Sequence, residues 1–129
     1  MGQCPERHVS ISVKEQMCLL SVHSNRQLTH YGFYARVFSI INDLNIPVEL
    51  LLTSDNCVTM AIETSTASEK SLNKAQVELQ AYSRIALLGD MVMLSVHITS
   101  KDYSSEMLSP IFSILSACCI PVHLISYGM

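Results

Sequence analysis

An α+β fold is predicted for this chain: two βαββαβ units in tandem, each an antiparallel sheet with helices on one face, the second unit truncated. Three observations carry that expectation. Residues 17–55 match residues 91–129 without a gap at a constant offset of 74 residues, with MCLLSVHS over MVMLSVHI, VFSII over IFSIL and NIPVELL over CIPVHLI. Register kept across three separate blocks marks a duplicated structural unit. Within each repeat, short Leu/Val-rich stretches of strand character alternate with stretches whose apolar residues recur at helical spacing.

The elements follow in order. Residues 17–23 alternate and suit a strand. Residues 32–44 place Phe33, Val37, Ile40, Ile41 and Leu44 on one helical stripe. Asn45 fits the left-handed position that ends a helix, and Pro47 prevents its continuation. Residues 48–53 read as a buried strand, Ser54-Asp55-Asn56 as a turn, and residues 57–63 as the returning strand. A polar helix over 68–82 with Ser68 as N-cap, and a short strand over 84–88, complete the first repeat. The second repeat supplies a strand over 91–98, a helix over 104–119 and a strand over 122–127. Residues 8–14 (HVSISVK) alternate like an edge strand outside the first repeat and are expected to pair into the sheet of the second. The expected domains are therefore the edge strand 8–14, a first unit over 16–89 and an incomplete second unit over 90–129.

Composition narrows the function. Hydrophobic residues make up 49% of the 129 and charged ones 15%, enough apolar content for a packed core. A net charge of −3 with eight scattered basic residues gives no footprint for nucleic acid. No apolar run reaches membrane-spanning length, and MGQCPERHVS lacks a signal-peptide core, so no membrane partner is expected. Gly2 is followed by Glu6 where a myristoylation signal wants Ser or Thr. The five cysteines have no CxxC spacing and suit small buried residues in a reducing compartment. His23 and His97 occupy equivalent strand ends, but no carboxylate or cysteine spacing accompanies them, so no metal site and no cofactor is expected. No nucleophile–base pair, paired carboxylates or phosphate loop is evident, and no catalytic residue is assigned.

A ligand site is suggested by Gly32. A glycine at a helix start admits close approach, and the amides of Gly32, Phe33 and Tyr34, with the helix dipole, suit a carboxylate. Glu49, at the start of the next strand, is the acidic residue best placed for an ammonium group. Val48 beside it and Thr53, Ser54 and Asp55 at the strand end supply further contacts, and Gln27 and His30 lie in the loop before Gly32. The plainer readings stay open: Gly32 as a loop-to-helix transition, Glu49 as a solvated strand residue. In the second repeat Gly32, Phe33 and Glu49 become Glu106, Met107 and His123. An acidic side chain there repels a carboxylate, so the second unit is expected to serve assembly.

The run LSVHSNRQLTHYGFYARVFSIINDLNIPVELLLTSDNCVTMAIET resembles the first ACT domain of monofunctional, lysine-type aspartate kinases, in its strand ending His-Ser, its Gly-Phe helix opening, its Ala-x-Val-Phe and its Asn-Ile-x-Val turn. GDMVMLSVHI, the following helix and IPVHLISYG resemble the second ACT domain. The resemblance implies ferredoxin-like ACT domains that bind an amino-acid effector, lysine favoured and threonine possible. It also implies a homodimer through those domains, a kinase domain in the parent protein, and a cytoplasmic location, or the plastid stroma for a plant-type source. Glu49 stands where the family has aspartate, and Thr53-Ser54-Asp55 where it reads Thr-Ser-Glu. In that family the strand before the first ACT domain joins the sheet of the second. No Lys-Phe-Gly-Gly nucleotide segment is present. A module kept only for dimerisation, without a ligand, is the alternative.

Overall fold

The structure is a computed structural model that describes residues 9–26, 30–65, 67, 69–98 and 108–126. The elements are β1 (Val9–Ser24), α1 (His30–Asp43), β2 (Val48–Ser54), β3 (Cys57–Glu63), α2 (Glu69–Leu79), β4 (Ser83–Ile98) and α3 (Leu108–Ala117). The strands form one four-stranded sheet in the order β2-β3-β1-β4, with β3 antiparallel to both its neighbours. The chain divides into two compact units, Lys14–Met93 and Met1–Val13 with Leu94–Met129. β1 and β4 each contribute residues to both.

The first unit is a two-layer α/β sandwich, the ferredoxin-like arrangement expected. Alternation along the strands sends one set of side chains toward the helices. The cross-strand pairs Leu20↔Met60, Val22↔Val58 and Cys18↔Ile62 lie in the buried layer. Phe33, Val37, Ile40 and Ile41 of α1, spaced three and four apart, pack onto that layer together with Leu72, Ala75 and Leu79 of α2. The opposite face carries polar pairs, with the Ser21 and Thr59 hydroxyls 3.5 Å apart and Cys57 Sγ 3.8 Å from His23 Nε2.

Helix termination is local in both repeats. Asn45 sits in the left-handed region at φ 53°, and Ile46 N–H donates to the Ile41 carbonyl at 3.2 Å, five residues back. This is the closing bond of a Schellman stop. At the equivalent positions Cys119 has φ 56° and Ile120 N–H donates to the Leu115 carbonyl at 2.9 Å.

Several expected boundaries shift. The stretches 8–14 and 17–23 are one strand from Val9, with Gln16 left-handed at φ 58° between them. The Gln16 carbonyl is held by Thr64, whose N–H and hydroxyl donate to it at 2.8 and 2.6 Å. The stretches 84–88 and 91–98 are likewise one strand, with Asp90 at φ 52°. α1 begins at His30, so Gly32 is its third residue and not its first. The strand expected over 122–127 is absent from the described part, 122–126: this stretch is mostly exposed and pairs with none of the described strands. Gln27, Ser68, Glu106, Met107 and Tyr127 lie outside the described residues, as do residues 104–107 of the expected second-repeat helix.

The second unit is described through residues 9–13, 94–98 and 108–126. Its helix α3 buries no residue.

Candidate functional site

The residues singled out from the sequence fall into two groups, at opposite ends of β2. At its C-terminal end, Thr53, Ser54 and Asp55 are exposed where the β2–β3 hairpin turns, and the Ser54↔Cys57 pair closes the turn. The first turns of α1 lie at this end, because the Tyr34 hydroxyl donates to the Ser54 main-chain carbonyl. Tyr34 stacks on Phe38 with ring centroids 6.4 Å apart and meets Phe33 at 5.6 Å. Phe33 itself is buried in the core, so only its backbone is available to a ligand. Gly32 has a negative φ, and its value at this position is the close approach that a missing side chain allows. His30 is the first residue of α1.

At the other end, Glu49 is the extra residue of a β-bulge. Val48 pairs with Ile62 and Leu50 with Ala61, two steps along β2 for one along β3. Bulges re-aim side chains, and Lys14 Nζ lies 3.0 Å from Glu49 Oε1 and 3.5 Å from Glu63 Oε2. The hydrogen bond to Glu49 raises the Lys14 pKa, partial desolvation of the amine opposes this, and the charges of Glu49 and Glu63 add to the rise. Sequence reasoning chose Glu49 as a receptor for ammonium and overlooked Lys14, the ammonium that faces it. Its only signal was a single cation ending an otherwise uncharged alternating stretch. Four to five residues of strand separate Glu49 from Thr53 and Ser54, about 15 Å at the usual rise. Within one chain, then, Glu49 and Gly32–Tyr34 do not converge.

Among the described residues no three His, Cys, Asp or Glu side chains are grouped to hold a metal ion, and no helix is long and apolar enough to cross a membrane. Burial pushes the Cys18 thiol pKa up, which keeps it protonated and unreactive.

No family profile matches the chain. Aspartate kinase FUB3 of Gibberella fujikuroi is 27% identical over 124 residues, which are 96% of this chain and 24% of that enzyme. Aspartokinase 3, chloroplastic, of Arabidopsis thaliana is 30% identical over 92% of this chain and 22% of its own length. E. coli aspartokinase III in complex with aspartate and ADP superimposes with a TM-score of 0.77 at 26% identity, over 92% of this chain and 27% of that one. The chain is a homologue of a part of the aspartate kinases. The regulatory subunit of aspartate kinase from Thermus flavus shares the fold of this chain, with a TM-score of 0.73 at 11% identity over 92% of this chain and 80% of that chain. The chain spans about a quarter of the length of the curated aspartate kinases it matches.

Proposed function

We propose that this chain is an amino-acid-sensing module of an aspartate kinase, in which the first unit binds lysine and biases a linked ATP-dependent kinase toward an inhibited state in aspartate-family amino-acid biosynthesis. One observation carries the reading: the chain superimposes on E. coli aspartokinase III over 92% of its length, and that enzyme is also known in complex with lysine and aspartate. A ligand shifts such an equilibrium only as far as its affinity differs between the two states. The compartment proposed is the cytoplasm, or the plastid stroma as in the chloroplastic relative.

The geometry favours a site completed by a homodimer. β2 is an edge of the sheet, and Glu49, Leu51, Thr53 and Ser54 are exposed along it. Two β2 edges paired antiparallel about a two-fold axis at Leu51 set Glu49 of one chain opposite Thr53 of the other. The first turn of α1 and the hydroxyls of Thr53 and Ser54 then hold the carboxylate end of the effector, and the second chain's carboxylate takes an ammonium after exchanging it for Lys14. A module for dimerisation alone is favoured by one fact, the engagement of Glu49 by Lys14.

Calorimetry and thermal shift with lysine, threonine and methionine test the proposal. Saturation at one hundred times the dissociation constant stabilises a binding protein by about 2.7 kcal/mol, and Glu49→Ala should abolish the shift. Absence of heat and of any shift with all three amino acids, from a chain of dimeric mass, leaves the dimerisation module.

A further inference from the structure

On the face of the sheet away from the helices, β1 and β3 bring together four polar side chains. The register sets His23 opposite Cys57 and Ser21 opposite Thr59. Cys57 Sγ lies 3.8 Å from His23 Nε2 and 3.7 Å from Thr59 Oγ1, and Thr59 Oγ1 lies 3.5 Å from Ser21 Oγ. A thiol in hydrogen-bond contact with an imidazole is a nucleophile with its base, the pairing that separates a reactive cysteine from a packing one. The two residues are 34 apart in the chain, which is why no such pair is evident in the sequence. The thiol is half-buried beside the β2–β3 turn and the histidine is exposed, so a reagent can reach the pair. The other described cysteines differ. Burial pushes the Cys18 thiol pKa up, and Cys118 and Cys119 are exposed. Charged groups also stand at this end of the sheet. The Asn25 N–H donates to the Tyr82 carbonyl at 3.1 Å, which brings the start of β4 beside the end of β1. Ser83 and Ile85 turn toward the core, so alternation sends Arg84 to the face of His23. Arg26 follows β1 and Asp55 is exposed in the turn, whereas Lys14, Glu49 and Glu63 are gathered at the other end.

We propose that Cys57 is a site of reversible thiol modification, at which a low-molecular-weight disulfide is exchanged onto the protein with His23 as the base. His23 acts in the tautomer that carries its proton on Nδ1, which leaves Nε2 to accept. The Cys57 thiol gives its proton to Nε2 as Sγ attacks one sulfur of the disulfide. The S–S bond of the reagent breaks, a mixed disulfide forms at Cys57, and the leaving thiolate takes the proton from His23. Cys57 is oxidised and the departing half of the reagent is reduced, so no further oxidant enters. A free thiol attacking the mixed disulfide runs the step backwards and restores Cys57. The adduct stands across from Ser54, the register partner of Cys57, whose carbonyl receives the Tyr34 hydroxyl. The proposal rests on the Cys57–His23 pair alone and holds whether or not an amino acid binds at that end of β2.

Incubation of the full 129-residue chain with oxidised glutathione, acid quenching and mass mapping of each cysteine peptide test the inference. At neutral pH Cys57 should take up the adduct at least about tenfold faster than Cys118 or Cys119, and dithiothreitol should remove it. His23→Gln should slow Cys57 about tenfold or more and leave the rates at Cys118 and Cys119 unchanged. The pH profile of the Cys57 rate should carry an inflection that His23→Gln removes, which loss of a merely structural contact does not do. Cys18 should stay unmodified in both proteins, and this reports an intact fold during the reaction. Modification of Cys57 no faster than that of Cys118 and Cys119, or a Cys57 rate and pH profile unchanged by His23→Gln, overturns the inference.

Discussion

Ile40 and Ile114 occupy the same position in two helices of one chain, and truncating each to alanine measures what a covering layer is worth. Ile40 is packed among Val37, Ile41 and the strand residues of the first unit. Ile40→Ala removes three carbons from that cluster, so both the transfer term and the residual cavity apply, and about 2–5 kcal/mol should be lost. With a urea m-value of about 1–3 kcal/mol/M the midpoint falls by roughly 1–2 M with no change in slope. A unit of this size loses about 4–8 °C in Tm per kcal/mol, so a fall of at least about 10 °C should accompany it. Ile114→Ala removes an exposed side chain, and at dilution it should change stability by less than about 0.5 kcal/mol. Equilibrium urea unfolding followed by circular dichroism, at low micromolar concentration, gives both values. Equal losses from the two substitutions would refute the reasoning, because they would require a core around α3.

Three further outcomes are expected. Ser83→Ala should cost about 0.5–1.5 kcal/mol in the same urea assay, since the buried Ser83 hydroxyl donates to the Leu79 carbonyl at 2.6 Å. Asn45→Ala should cost about 1 kcal/mol and Asn45→Gly little or nothing, because a Cβ is tolerated poorly at φ 53°. Native iodoacetamide labelling read by mass spectrometry should modify the exposed Cys118 and Cys119 while sparing the buried Cys18. Cys18 also sets a pH dependence: its folded pKa lies above the unfolded value, so its stabilisation is complete below the unfolded pKa and is lost as pH rises through the folded one. Thermal melts above about pH 8.5 should show the loss.

Much of the first unit was legible because its determinants are local and periodic. The spacing of Phe33, Val37, Ile40 and Ile41 named both the helix and the face it buries, and Asn45 before Pro47 named its end. What escaped notice was non-local. Gln16 and Asp90 are left-handed non-glycine residues inside strands, and nothing in composition marks such a residue, so two continuous strands read as four. Residues 122–126 carry strand composition, yet a strand exists only where another chain segment pairs with it. For the candidate site, residue types were legible and their convergence was not. Glu49 and Thr53 are neighbours in sequence, but extended backbone separates them, a bulge aims Glu49, and Lys14 meets it from a stretch that sequence reasoning assigns to the sheet of the second repeat.

The matched helix stops at Asn45 and Cys119 have a consequence for the order in which structure forms. Each stop is written in about six consecutive residues and closes by itself, on the submicrosecond timescale of helix formation. A covering layer is written in residues far along the chain and exists only once those have arrived. The stop therefore forms without waiting for that layer, and Cys119 turns left-handed after a helix that buries none of its described residues.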